Sequence, residues 1–398
     1  MKQINRNLLK LSIIGIALCD SGNGATTPAL GTIAAAMPSV DYTLVQSIAT
    51  VPSLFLALTP ILYAKLLDMG VKKRTLMYIG AAAFIIGGVG PYFLHNSIWT
   101  ILVLRGVLGI GNGICLPLST DLVIDFFEGH ERNTMQGFVS GSVGLSGIIF
   151  QLLGGYFAGI RWDYTFLAYA VSVIFFAVAF VFLPEPDRKG KIAAQEGIND
   201  VGARAKLGGY TYLTAIIFGF YFLIWYICPT NSAMIMIKEG MAQPAQIGGI
   251  FSLMTAGNLI ISLIFGILFK SLKFNLLWIS YILGAIGMYI MYTATSIGLY
   301  TVGITLLGVS LGAQVPTIIS KLTGLVPYSA GAAAISLAFF AMGVGGFINP
   351  FVFKYLGQFA VGRPAFIFGT VAFIVLGVIM VIVDKKTPAK YVSFEKAV

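Results

Sequence analysis

The sequence predicts an all-α integral membrane protein, with twelve transmembrane helices in two six-helix bundles and both termini cytoplasmic. Three observations carry that expectation. Of 398 residues, 58% are hydrophobic and only 10% charged, whereas roughly a quarter of the residues of a water-soluble domain are charged. The apolar runs are each about 20 residues or longer, the length a helix needs to cross roughly 30 Å of hydrocarbon, and they lack the alternation of a membrane barrel strand. The Lys and Arg residues also crowd into alternate loops, as cytoplasmic loops require.

In chain order the spans are expected near 8–37, 42–67, 76–94, 99–126, 135–159, 164–183, 210–236, 247–269, 276–295, 299–325, 333–355 and 364–383. The first run is too long for the apolar part of a secretory signal and ends in no small-residue cleavage site, so it is expected to be a mature helix. A charged connection at 185–207, headed by Pro184 and Pro186, has no apolar stripe. It divides the chain into an N-terminal bundle (1–184), a cytoplasmic linker (185–207) and a C-terminal bundle (208–398). Cys19, Cys115 and Cys228 fall in apolar runs without metal-ligand spacing and are expected to be buried thiols.

With the N-terminus inside, the inner loops and tails hold 20 of the 25 Lys and Arg and the outer loops four, namely Arg161, Lys238, Lys354 and Arg363. That bias fixes the orientation. It also explains the net charge of +10 through attraction to an anionic inner leaflet, so no nucleic-acid partner is called for. His95 and His130 lie near opposite membrane faces and share no metal. No phosphate-binding Gly-x-x-x-x-Gly-Lys loop is present. These features offer no route to catalysis, call for no cofactor and leave a gradient as the expected energy source, with a small molecule and the bilayer as partners. A monomer in the cytoplasmic membrane is expected.

Only two formally charged side chains lie deep within apolar runs, Asp20 and Arg105. A charge inside a bilayer is costly enough that it usually faces a polar cavity or a partner and marks an ion or substrate path. On the first span Asp20, Asn23 and Thr27 fall at i, i+3 and i+7 and share a helix face, as do Arg105 and Asn112 on the fourth. Gly109 and Gly113 on the fourth span, and Ser140, Gly144 and Gly147 on the fifth, recur at three to four residues, which permits close helix approach. In the second half the central faces hold no ionised residue. Their polar candidates are Asn231, Asn258, Gln314 and Asn349, and the aromatics Tyr221, Trp225 and Tyr226 gather just before Pro229. Such aromatics supply an apolar wall for a flat or amphipathic ligand. Gln314-Val-Pro316 and Asn349-Pro350 are expected to break their helices.

A weak internal repeat supports the two-bundle division. The end of the second span reads Ala64-Lys-Leu66-Leu-Asp68-Met-Gly70-Val-Lys72-Lys73-Arg74, and the end of the eighth reads Gly266-Ile-Leu268-Phe-Lys270-Ser-Leu-Lys273. Both place a basic turn at the inner end of the second helix of a half, as parallel transporter repeats do.

Over essentially its whole length the chain resembles the major facilitator superfamily of secondary transporters. The loop after the second span is similar to the family signature G-x-L-x-D-x-x-G-[RK]-[RK]-x-x-L, with Leu66, Asp68, Lys72, Lys73 and Leu76 on matching positions. Ala64 replaces its first glycine, and Gly70 comes one residue early, with Val71 in its place. Arg105-Gly-Val-Leu-Gly109-Ile-Gly111 is similar to the family's R-x-x-x-G-x-G element, associated with proton coupling. The fifth span keeps Gly154-Gly155 but carries Phe150-Gln151 where proton antiporters of the drug-efflux branch have Gly-Pro.

The resemblance implies contact between the first and fourth helices. A depth difference of roughly 13 Å at 1.5 Å per residue makes a water-mediated link between Asp20 and Arg105 the expected form. Loss of water raises the Asp20 pKa and the guanidinium lowers it, and protonation would release Arg105, so the two are the expected proton-coupling pair. Asn23, Thr27, Asn112, Gln151, Tyr221, Trp225, Tyr226, Asn231, Asn258, Gln314 and Asn349 are the expected cavity residues. Asp121 and Asp125, one turn apart, lie in the resembled fold near the signature loop. One of them is expected to pair with Lys72 or Arg74, with Asp68 nearby, and these residues with Gly70 and Lys73 are the expected cytoplasmic gate.

The function expected is proton-coupled alternating-access transport of a small, amphipathic organic molecule, export being preferred. The alternative is uptake or exchange of a small organic anion with Arg105 as its partner. A receptor is disfavoured because nothing large projects from the membrane.

Overall fold

A computed structural model of the chain describes residues 5–19, 22–186, 207–327, 330–356 and 362–386. Most of the expected linker, and Asp20 itself, lie outside the described residues. The chain is helical throughout the remainder: α1 (Arg6–Ala17), a 3-10 stretch Gly22–Ala29, α2 (Leu30–Ala36), α3 (Tyr42–Asp68), α4 (Lys73–Phe93), α5 (Ile98–Phe126), α6 (Gly129–Ile160), a 3-10 stretch Trp162–Ala170 and α7 (Val171–Phe182) form the first half. The second half contains α8 (Gly209–Trp225), α9 (Ile227–Lys238), α10 (Pro244–Leu263), α11 (Phe265–Leu272), α12 (Asn275–Thr293), α13 (Ile297–Gly324), α14 (Gly331–Tyr355) and α15 (Pro364–Lys386).

Eleven stretches among the described residues are long and apolar enough to cross a membrane, counting Trp162–Phe182 and Gly209–Lys238 each as one. The first expected span is not among them because it is interrupted. Gly22, Gly24 and Pro28 weaken regular α-helix, and the chain there takes the tighter 3-10 form between α1 and α2. Asn23 and Thr27 therefore do not sit on a continuous α-helical face. The seventh span is likewise divided at Tyr226, where Pro229 removes the N–H that would reach back to Trp225. By contrast α13 runs through Pro316 and α14 through Pro350 without interruption, so the two helix breaks expected there are absent.

Helix starts follow local chemistry. Asn5, Asp41 and Ser296 turn side-chain oxygens onto free N–H groups of the first turns of α1, α3 and α13, and Gln243 and Gln246 form a reciprocal capping box with Pro244 leading α10. The turn after α3 is a Schellman ending: Gly70 N–H bonds Leu67 O and Val71 N–H bonds Leu66 O, both at 3.0 Å. It requires positive φ at Gly70, which is +85°. The early glycine of the signature loop thus serves as the cap. At the matching place after α11 stands Lys273, with φ +50°, a conformation that costs a side-chain-bearing residue roughly 1–2 kcal/mol.

One apolar core lies inside the first half around Phe84, Phe150, Tyr169 and Phe176. The other fills the second half and continues across the interface to Leu30, Ile33, Val45 and Ile48 of the first. The halves meet through α3 against α14 and α6 against α10. Bonds between them gather at the end where α3 begins: Asp41 pairs with Lys354 at 2.6 Å, Tyr42 donates to Thr230 O at 2.7 Å and Gln46 donates to Thr230 O and Asn231. At the opposite, basic end Gly137 and Gly141 of α6 look onto open space.

Candidate functional site

Between the halves lies a cavity of about 580 Å³, within the usual size for a small-molecule site. The first half supplies a polar strip of Asn23, Thr27, Asn112 and Gln151. The second supplies an aromatic and methionine wall of Phe222, Trp225, Tyr226, Met254, Phe339 and Met342, together with Thr255, Asn258 and Ser262. Among the described residues no ionised side chain lines it. Thioether side chains repack readily around varied ligands, and the aromatic faces offer stacking area. The halves touch within the cavity where Thr255 Oγ1 donates to Gln151 Oε1 at 2.9 Å. Gln151, standing where the efflux pattern has proline, is therefore a polar clasp between α6 and α10.

Arg105 lies behind the polar strip, fully buried. Its Nε donates to Ile48 O at 2.9 Å, one Nη to Tyr169 Oη at 2.7 Å, and the other to Asn23 Oδ1 at 2.9 Å and Asn23 O at 3.3 Å. The guanidinium also lies 5.3 Å from the Tyr169 ring centre, a cation–π arrangement. A single charge thereby ties α5 to α3, to the 3-10 stretch after α1 and to the Trp162–Ala170 stretch. Arg105 touches the cavity through Asn23 and is not itself a lining residue; the first and fourth spans are in contact as expected, α1 packing on α5, and the share of Arg105 in that contact runs through Asn23. Asp20, three residues before Asn23, lies outside the described residues.

At the basic end Lys73, not Lys72 or Arg74, meets the α5 carboxylates. Its Nζ is 2.7 Å from Asp125 and 3.3 Å from Asp121, and Tyr63 donates to Asp121 at 2.8 Å. Lys73 is first in α4, so its side chain turns back beneath the helix towards α5. Lys72 is the exposed residue before α4. Arg74 bonds Tyr78 and the Phe180 carbonyl. Asp68 is exposed. Glu185 completes the cluster by accepting from the N–H groups of Lys73 at 2.9 Å and Arg74 at 2.8 Å, a carboxylate at a helix N-terminus. These bonds lie within the first half and brace it.

The model for the Major Facilitator Superfamily matches residues 12–237, more than half of the chain. The chain belongs to the Major Facilitator Superfamily. Among curated relatives, it is 28% identical over 222 residues to Multidrug resistance protein 3 of Bacillus subtilis (strain 168), covering 53% of this chain and 43% of that protein. It is 30% identical over 153 residues to the probable transporter AQR1 of Saccharomyces cerevisiae, covering 38% of this chain and 26% of that one. The matched stretches thus span less than half the length of these relatives. Among solved structures, the inward-open xylose transporter XylE from E. coli superposes with a TM-score of 0.73 at 13% identity, over 94% of this chain and 95% of that one. A bacterial homologue of the human lysosomal transporter Spinster, inward-facing and unoccupied, gives 0.69 at 16%, over 96% of each chain. At these identities the likeness is one of fold. Membership of that superfamily, with eleven stretches among the described residues able to cross a membrane, makes the chain a multi-pass membrane protein.

Of the cavity residues expected from sequence, this superfamily member brings together Asn23, Thr27, Asn112, Gln151, Trp225, Tyr226 and Asn258. The other four lie elsewhere. Tyr221 bonds Ser310 at 2.7 Å and Gln314 bonds Ser280 and Tyr281, in a buried network inside the second half. Asn231 receives Gln46 at the Asp41 end, and Asn349 donates to Leu223 O at 2.6 Å. Each is a buried polar group satisfied in place. Sequence reasoning missed Tyr169, Glu185 and Thr255, whose roles depend on neighbours distant in the chain. It also missed Met254 and Met342, which look like any other apolar residue of a membrane span.

Proposed function

We propose that this transporter is a twelve-span, proton-coupled exporter of small amphipathic organic molecules in the cytoplasmic membrane. In this reading the interrupted segment Arg6–Ala36 is the first span, both termini are cytoplasmic, and the basic end with its open cavity is the inward-facing side. It works as a monomer without cofactor. The observation that carries the reading is the cavity itself: its lining has one polar strip, one aromatic and methionine wall and, among the described residues, no ionised side chain, a surface suited to amphipathic rather than strongly charged cargo. The multidrug-related names of its curated relatives support the same cargo class and direction. Exchange of an organic anion held by Arg105 is less well supported, because three neutral residues already engage that guanidinium behind the cavity wall.

Coupling is assigned to Asp20 and Arg105. An ionised Asp20 competes with Asn23 and Tyr169 for the guanidinium, and proton uptake returns Arg105 to those neutral partners. Since Arg105 ties together four elements of the first half, exchange of its partners biases how that half sits against the second. Uptake and release of a lipophilic dye by proteoliposomes under an imposed pH gradient tests this. The native protein moves the dye uphill, and Asp20→Asn binds it but only equilibrates it. Undiminished uphill transport by Asp20→Asn removes the coupling role, and flux confined to carboxylates replaces the cargo.

A further inference from the structure

We propose that the polar strip of the first half is a set of N–H donors, and that the site takes amphipathic molecules whose polar part is an uncharged hydrogen-bond acceptor, such as the carbonyl of an ester or ketone. The inference rests on the reading of the central cavity as the cargo site and names the chemical class which that site prefers.

Three carboxamides belong to the strip, Asn23, Asn112 and Gln151, and in each the oxygen is withheld from cargo. Asn23 is fixed by chemistry: a guanidinium only donates, so with Arg105 on Asn23 Oδ1 at 2.9 Å the amide has one permitted orientation, its Nδ2 turned away from Arg105. Gln151 Oε1 is taken by Thr255 Oγ1 at 2.9 Å. Asn112 is 1% exposed and its Oδ1 is cut off from solvent, so the end of its amide left at the cavity is Nδ2. Asn258, on α10 of the second half, has the same sense, its Oδ1 accepting from Ser262 at 3.3 Å. None of these four amide nitrogens has a partner among the described residues, and none is cut off as Asn112 Oδ1 is.

The donors are close together. A Cβ on Gly24 would lie 3.1 Å from Gln151 Nε2, so the Gln151 amide rests on the residue next to Asn23, and the glycine leaves it room. A carbonyl oxygen has two lone pairs and can take a bond from more than one such N–H. The lining hydroxyls of Thr27 and Tyr226 donate as readily as they accept, so they suit the same cargo. Across the cavity Phe222, Trp225 and Tyr226 offer flat aromatic surface. The class that fits both sides is an aromatic body with an acceptor oxygen at one end. A molecule of equal shape without the acceptor displaces water from the amide nitrogens and gives them nothing in return, and discrimination follows from the groups left unpaired.

Two dyes of one skeleton test this: an N-permethylated diaminoxanthylium cation with a methyl ester on its pendant ring, and its analogue with a sec-butyl group of the same shape in place of the ester. Neither carries an N–H, so the ester's acceptor oxygens are the difference between them. Binding of each to the purified full-length protein is read by fluorescence anisotropy. The native protein is expected to bind the ester about tenfold more tightly. Asn112→Leu combined with Gln151→Met removes two donors and leaves Asn23 on Arg105. It is expected to bring the dyes within about threefold of each other through loss of ester affinity, with the sec-butyl dye held within about twofold. Gln151→Glu, which keeps an oxygen for Thr255 and loses the N–H donors, is expected to lower the ratio in the same direction, and it decides alone if the double variant binds neither dye. An unchanged ratio in the variants, or a native protein that binds the two dyes equally, overturns the assignment while leaving the cavity reading in place. If the native protein binds neither dye, the amphipathic cargo reading fails and the assignment fails with it.

Discussion

Arg105 and Ile304 occupy matching positions in the two halves. Each stands four residues before a glycine, Gly109 or Gly308, which is followed at the same spacing by Gly113 or Gly312 and then by Pro117 or Pro316. The glycines do the same work twice. A Cβ on Gly109 would come within 2.6 Å of Pro52 O on α3, and one on Gly312 within 2.6 Å of Asn258 O on α10, so α5 packs on α3 as α13 packs on α10. Arg105 and Ile304 are both fully buried. The second half shows that the scaffold closes well around an aliphatic side chain there. The charge in the first half is therefore not a requirement of packing, and its desolvation is a standing cost. The polar network of the second half, from Tyr221 through Ser310 to Ser280 and Gln314, contains only neutral groups. At this position one half encloses a guanidinium held by neutral partners, and the other an aliphatic side chain.

Exchanging the two side chains is the severest way to break this comparison. Arg105→Ile leaves Asn23 Oδ1, Tyr169 Oη and Ile48 O short of a donor, and proton-driven transport is expected to fall roughly 100-fold, near the upper range of a coupling free energy. Ile304→Arg buries a guanidinium with no prepared partners and is expected to lower stability by several kcal/mol. Thermal unfolding in detergent and dye flux in liposomes separate the two outcomes. Normal uphill transport by Arg105→Ile would mean that the asymmetry between the halves carries no function.

How much of this was legible follows from the range of each signal. Hydropathy and the R-x-x-x-G-x-G spacing act locally or by composition, so the helical class, the family and the burial of Arg105 within its span could be read directly. Cavity membership was legible for Asn23, Thr27 and Asn112 as polar residues inside apolar spans, although the first two lie on a 3-10 stretch and not on the α-helical face expected for them. It failed for Tyr221 and Gln314, because a polar residue on an apolar helix looks the same whether it meets a cavity or a serine on the next helix. The proline positions misled for a similar reason. Pro316 and Pro350 lie in long helices whose neighbours hold them in line, whereas Pro229 and the Gly22–Pro28 run do interrupt theirs. Which lysine meets the α5 carboxylates was decided by one residue of helical phase: Lys73 begins α4 and is buried, and Lys72 precedes it and is exposed.

That phase gives a sharper comparison of intermediate size. Lys73→Glu sets a like charge against Asp121 and Asp125, and removing one partner of a buried pair alone costs about 3–5 kcal/mol. The variant is expected to unfold at lower temperature and to turn over roughly tenfold more slowly, a bias of about 1.4 kcal/mol, with dye affinity unchanged. Lys72→Glu, on an exposed side chain, is expected to stay within about twofold on both measures. Equal effects at the two positions would return the gate to a general charge requirement of the signature loop.

The smallest expected effect lies at the opposite end, where Asp41 and Lys354 join the halves. The Lys354 ammonium, helped by the Thr43 N–H, holds the Asp41 carboxyl down at about 2. A carboxyl depressed on folding contributes stability above its ordinary value and loses it as pH falls through the depressed one. The pair is therefore fully formed from pH 5 to pH 8 and does not titrate in the window where a proton gradient operates. Both side chains are about half exposed, so Asp41→Asn is expected to shift the inward–outward balance by no more than about 1 kcal/mol. Its pH–transport curve should keep the native midpoint and shape at slightly altered amplitude. A midpoint displaced along the pH axis in Asp41→Asn would move the titrating group to this end of the molecule and away from Asp20, and the functional asymmetry between the halves would have to be drawn at their outer seam instead of around Arg105.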